Sequence, residues 1–200
     1  MAAYPEHLIR EHRLPDGRAV VIRPIRCGET ERVRAFINGL SAEARYLRFH
    51  KWIRAPSDSL VHFLTEVDYD RHMAFVCATQ LDGHEELVGD ARYVIDSGGS
   101  ACEFGIVIAD VWHKTGIAGL LMEALIRAAR EQGLVRMYGI VLTCNATMLR
   151  FARAFGFTVK AVPEDPTTVR IVKELAIRLP RASNLTVAHD PPLGGTSRTT

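Results

Sequence analysis

Residues 106–122 read Ile-Val-Ile-Ala-Asp-Val-Trp-His-Lys-Thr-Gly-Ile-Ala-Gly-Leu-Leu-Met, and this stretch decides the fold. An apolar run ends at Ala109, a short polar turn follows, and a helix-period pattern opens with small residues at 116, 118 and 119. A helix start presents N–H groups with no partner inside the helix, and these attract anions. Small residues let a phosphate approach that backbone, and Lys114 adds a mobile positive charge. A pyrophosphate is the natural guest. A glycine-rich turn with no ligand has the same spacing, so both readings stay open. A Walker loop is excluded, because it needs Gly-Lys followed by Ser or Thr. A dinucleotide-binding fingerprint would follow an early strand, whereas this turn follows three hairpin-type strands.

Working outward, strand patterns are expected over 19–25, 73–79, 87–95 and 101–109, with turns at Asp82-Gly83 and at 97–100. Helical spacing covers 29–40 and the segment after Ser57, which can cap it. The long helix over 116–132 ends at Gly133. A buried strand over 137–143 follows, then a helix from an Asn145 cap to Phe155, stopped by Gly156, then strands over 157–162 and 168–176. This mix of hairpins and helices implies an α+β domain with a mixed sheet. Residues 16–179 form the ordered unit, 1–15 a loose arm, and 180–200 a tail rich in Pro, Gly, Ser and Thr that is expected to be mobile.

The chain has 200 residues, 48% of them apolar and 24% charged, the balance of a globular protein able to bury a core. A net charge of +2 argues against a nucleic-acid-coating protein. Cysteines at 27, 77, 102 and 144 form no C-x-x-C pair, and the eight histidines show no H-x-x-x-H spacing, so no metal site is expected. No leader and no membrane-length apolar run is evident, which points to a cytoplasmic protein without a membrane partner. A homodimer is compatible with the sequence.

His113-Lys114-Thr115-Gly116-Ile117-Ala118 is similar to the acetyl-CoA loop of the GCN5-related N-acetyltransferases (GNAT), which runs Gln/Arg-x-x-Gly-x-Gly/Ala. The stretch from Asn145 to Gly156-Phe157 resembles the second hallmark of that superfamily, an Asn, a helix and then Gly-Phe. Segments 45–49, 67–74 and 103–108 resemble the acetyltransferase domain of bacterial Pat-type protein lysine acetyltransferases. Fused relatives carry a further regulatory domain, for which this chain is too short. The resemblance implies a GNAT fold, a mixed sheet flanked by helices, with acetyl-CoA in the cleft between splayed central strands.

It also implies direct transfer of acetyl from acetyl-CoA to a primary amine, of a protein lysine or of a small molecule. A lysine with its usual pKa of about 10.4 arrives protonated, so a base must take its proton. Glu103 matches the family glutamate and lies in an apolar stretch, where burial would tune it as a base; the same alternation also fits a solvent-facing glutamate. The main chain of Ile106, Val107 and Ile108 matches the edge that pairs with pantetheine, leaving an N–H for the oxyanion. His113, Lys114, Thr115, Gly116, Ile117 and Ala118 match the phosphate loop, and Asn145 a CoA contact, though it is also a good helix cap. Three departures stand out. His113 replaces Gln or Arg and would make a phosphate contact pH-sensitive. The small residues at 118 and 119 are slightly displaced. Ala152 stands where many relatives place a Tyr that protonates the leaving thiolate, which leaves solvent to do so. A CoA-binding sensor that no longer catalyses is the alternative from another class.

Overall fold

The computed structural model describes residues 3–175. Eight strands form one sheet. In chain order the elements are β1 (Arg10–Arg13), β2 (Ala19–Pro24), α1 (Thr30–Gly39), α2 (Ala42–Phe49), α3 (Asp58–Thr65), β3 (His72–Leu81), β4 (His84–Ile95) and β5 (Ala101–Ile108). Then come α4 (Ile117–Glu131), β6 (Arg136–Leu142), α5 (Ala146–Ala154), β7 (Thr158–Ala161) and β8 (Thr168–Glu174). The strand order is β1-β2-β3-β4-β5-β6-β8-β7, and the pairing is antiparallel everywhere except between β5 and β6.

Alternation along the central strands feeds two cores. On one face Phe75, Tyr93, Phe104 and Ile108 pack beneath Leu121 and Leu125 of α4, with Ala152 of α5 in the same cluster. On the other, Ala74, Val76 and Leu87 pack against Val33 and Ile37 of α1 and Val61 and Leu64 of α3. Ser57 and Asn145 cap α3 and α5 as expected, accepting from the Leu60 and Met148 N–H groups.

Two elements differ from expectation. Residues 10–13, read as part of a loose arm, pair with β2 from Arg10↔Ile22 to Arg13↔Ala19, and the Tyr4 hydroxyl donates to the Pro24 carbonyl. Helix α2 is an additional element between the helices expected over 29–40 and after Ser57; Ser41 caps it by accepting from Ala44 N–H. The expected tail over 180–200, and the end of the 16–179 unit, lie outside the described residues. Within the described residues no helix is long and apolar enough to cross a membrane. Cys77 and Cys102 are buried free thiols, each pushed up to about 12 by burial.

The second core contains charge. Arg92 Nε donates to Asp90 Oδ1 (3.1 Å), and its Nη1 donates to the Leu64 carbonyl (3.0 Å) and lies 3.2 Å from His72 Nε2. A guanidinium only donates, so His72 Nε2 accepts. Phe63 stacks on the imidazole. Burial, with the Arg92 charge second, pulls His72 down to about 4. The folded protein therefore keeps His72 neutral, while the unfolded chain protonates it near the ordinary 6.5. Its contribution, up to about 3 kcal/mol, is complete above pH 6.5 and is lost as the pH falls towards 4. Denaturant melts at pH 7.5 and 4.5 should show this loss, and in His72→Gln, which keeps an acceptor but does not titrate, the loss should shrink by more than half.

Candidate active site

Strands β5 and β6 pair over three positions, Ala101↔Arg136, Cys102↔Met137 and Glu103↔Tyr138, and then part. At the fork the Phe104 ring leans across onto Gly139, where a Cβ would come within 3.0 Å of it, and meets Phe157 at 5.2 Å. Beyond the fork β5 keeps its pairing with β4 only. The Ala109 N–H donates to the Val88 carbonyl (2.9 Å), which sets the alternation. Main-chain groups of Gly105 and Val107 face β4, and those of Phe104, Ile106 and Ile108 face the gap. Of the three strand residues expected to offer their main chain there, Ile106 and Ile108 do so. Val107 does not, because strand alternation turns its N–H and carbonyl to β4.

The turn after β5 is built to hold its shape. Trp112 is buried, and the Arg18 guanidinium lies 3.8 Å from its ring centroid. The Thr115 hydroxyl donates to the Trp112 carbonyl (2.7 Å), and His113 Nε2 lies 3.1 Å from the Ile108 carbonyl. His113 thus braces the turn by holding its Nε2 against the last carbonyl of β5. Lys114 and Gly116 take left-handed conformations, φ 63° and 95°. Helix α4 then starts without a side-chain cap, unlike α2, α3 and α5. The Gly119 and Leu120 N–H groups bond to the Gly116 carbonyl, and among the described residues those of Ile117 and Ala118 have no backbone partner. The Ile117 side chain is fully buried, so this end offers main-chain donors and the helix dipole to an anion. Asn145 uses its side-chain oxygen as a cap.

Glu103 sits at the fork on the opposite face. It is exposed: its apolar neighbours Cys102 and Phe104 point to the other side of the sheet, so the expected burial is not found. Strand period places Gly105 and Val107 on the same face as Glu103, and pairing places Tyr138 beside it. Burial first, then Glu103, pushes the Tyr138 phenol up. His50, the left-handed end of α2, is pulled down by burial and by Arg48, while Glu103 and Asp165 pull it back. His50 and Tyr138 were not foreseen at this site, whereas the sequence lets Arg48, like Arg45, hold an acidic acceptor or only face water. Only the pairing of β5 with β6 and the packing of α2 on β5 bring them to Glu103.

The remaining expectations resolve simply. Arg45, a possible acceptor contact, donates to the carbonyls of Ile37, Asn38, Leu40 and Ile53. The polar patch at 68–72 is a turn in which Asp68 accepts the N–H groups of Asp70 and His72. Trp52 is exposed and stacked on Tyr46. Ala152 is fully buried in α5 and brings no acid to the gap. Among the described residues no cluster of His, Cys, Asp and Glu could hold a metal.

One contact ties the two sides of the gap together. Asp110, in the turn after β5, accepts from the Ser41 N–H (2.9 Å) and hydroxyl (2.7 Å), and Ser41 in turn caps α2. The turn that shapes the α4 start therefore also positions the helix over Glu103.

Comparison with known proteins agrees with this geometry. The model of the acetyltransferase (GNAT) family matches residues 30–157. The chain is 38% identical over 156 residues to acetyltransferase PA5475 of Pseudomonas aeruginosa, a match covering 78% of this chain and 84% of that one. It is 32% identical over 144 residues to acetyltransferase Pat of Mycolicibacterium smegmatis, covering 70% of this chain but only 41% of that longer relative. Its fold is similar to the GNAT domain of S. lividans PAT, with TM-score 0.79, 29% identity, and coverage of 86% of this chain and 100% of that domain. A β5–β6 gap flanked by an uncapped helix start, together with these matches, makes the chain a member of the GNAT acetyltransferase family, an acyltransferase whose fold uses acetyl-CoA.

Proposed function

We propose that the protein transfers the acetyl group of acetyl-CoA directly to a primary amine, with protein lysine side chains as the first acceptor to test. One observation carries the reading. The gap beyond the Glu103↔Tyr138 rung lies between an anion-attracting helix start and a face that presents an exposed carboxylate. In this reading the CoA phosphates meet the Ile117 and Ala118 N–H groups with Lys114 and Gly116 beside them, and Ile106 and Ile108 pair with the pantetheine arm.

Glu103 takes a proton from the ammonium, directly or through water, and the freed nitrogen attacks the thioester carbon. The charge that develops on the carbonyl oxygen is met by a main-chain N–H at the gap. The C–S bond then breaks, the nitrogen releases its remaining extra proton to solvent to leave the amide, and the CoA thiolate, a good leaving group, takes a proton from solvent. The resemblance of segments 45–49, 67–74 and 103–108 to Pat-type protein lysine acetyltransferases makes lysine the first acceptor to test. The buried Ala152 favours a second reading, a CoA-binding module that does not turn over.

Glu103→Gln should lower the rate at least about 100-fold while changing acetyl-CoA affinity by less than about twofold. Equal rates in parent and variant would remove Glu103 from the reaction. Gly116→Val places a β-branched residue at φ 95°, where it is strained, and should weaken acetyl-CoA binding by tenfold or more in calorimetry. Labelled acetyl-CoA incubated with a lysate should put label on protein; label confined to small molecules would move the acceptor to that class, and binding without any transfer would support the second reading.

A further inference from the structure

Helix α2 lays Arg48 across Gly105, on the face that carries Glu103. A Cβ on Gly105 would lie 2.6 Å from Arg48 Cζ and 2.7 and 2.8 Å from its two terminal nitrogens. Only glycine lets the guanidinium rest flat on the strand. The Arg48 side chain is 16% exposed, and the acid beside it is Asp90, whose Oδ1 is 4.0 Å from Nη2. That carboxylate is already taken: Asp90 Oδ1 accepts from Arg92 Nε and Oδ2 from Arg92 Nη2. One acid thus answers two guanidinium groups, and the bidentate geometry goes to Arg92.

A largely buried guanidinium has five N–H donors to satisfy, and a poorly paired buried cation is costly. Arg48 lies between Glu103 and Val107 along β5, at the polar end of a recess lined also by Phe36, Ile37, Phe49, Leu64 and Asp90. An amine at Glu103 lies near this fixed positive charge, which repels a bare ammonium. A carboxylate on the same molecule reverses that effect, because it can take the unused fork of Arg48 in two parallel hydrogen bonds.

We propose that Arg48 is a specificity-determining residue that binds a carboxylate of the acceptor. The substrate class is then amines that carry a carboxylate within about 7 Å of the reacting nitrogen, the length of two strand residues separating Glu103 from Gly105. The proposal rests on the acetyl-transfer reading of this face. The carboxylate comes either from a free amino acid or from an acidic residue beside a protein lysine, and the chemistry at Arg48 is the same for both.

The test compares matched acceptors in the full chain: lysine against cadaverine for the free amino acid, and end-blocked Lys-Glu against Lys-Ala peptides for the protein source. The parent should favour the carboxylate-bearing member of at least one pair by tenfold or more in kcat/KM, mainly through KM. Arg48→Met should bring that ratio to within twofold of one, and Arg48→Lys, which keeps charge but loses the fork, should give an intermediate ratio. Ratios near one in both pairs for the parent, or a ratio in Arg48→Met equal to the parent's, overturn the proposal while leaving acetyl transfer standing. If no amine is acetylated, acetyl transfer is what fails, and glutarate tests Arg48 alone. A rise in Tm with 10 mM glutarate in the parent and none in Arg48→Met supports the carboxylate site, and no rise in the parent overturns it.

Discussion

Three rungs of parallel pairing, and no more, join β5 to β6, and the arrangement of the molecule follows from where that pairing stops. A sheet fully paired across this junction would separate the two helical layers. The fork at Glu103↔Tyr138 instead leaves the main chain of Ile106 and the N–H of Ile108 facing the gap, with the Ile108 carbonyl held by His113. Phe104 leaning onto Gly139, and onto Phe157 behind it, occupies the apex of the fork. On one side stands the bare start of α4, and on the other stand Glu103 and Arg48. An unpaired stretch of strand would ordinarily be a liability. Within this fold it is a place for a ligand with its own amide groups to pair.

The two sides of the gap are also coupled mechanically. Asp110 leaves β5 and immediately holds Ser41, the cap of α2; the same helix, two turns later, lies with Arg48 on Gly105 of β5. The turn after β5, the strand itself and helix α2 therefore close a short loop of contacts. Trp112 beneath Arg18, and His113 against the Ile108 carbonyl, hold the corner of that loop.

Much of this was legible in the residue pattern because its causes are local. Helices α1, α3, α4 and α5 announce themselves through apolar period, caps at Ser57 and Asn145, and glycines at 133 and 156. Strand β1 did not, because Arg10–Arg13 is an exposed edge strand with no apolar alternation to read. Helix α2 did not, because it buries no whole residue and depends on Ser41, Arg45 and Asp110 for its place. For Glu103 both surroundings were open in the sequence, since two apolar neighbours suggest burial while a period of two gives exposure, and the structure has it exposed. The direction of the Val107 main chain, and the match of Gly105 to Arg48, depend on pairing between distant segments that no single stretch reveals.

Membership of the GNAT acetyltransferase family explains the fold and the class of chemistry, and the fork is the place proposed for that chemistry. The central claim is that acetyl-CoA enters this fork and no other part of the surface. Amide hydrogen exchange with and without saturating acetyl-CoA tests it most directly. Protection is predicted at Ile106 and Ile108 and at Ile117 and Ala118, with Val107 unchanged because its N–H already faces β4. Saturable binding that leaves Ile106, Ile108 and the start of α4 exchanging at their free rates would contradict the account.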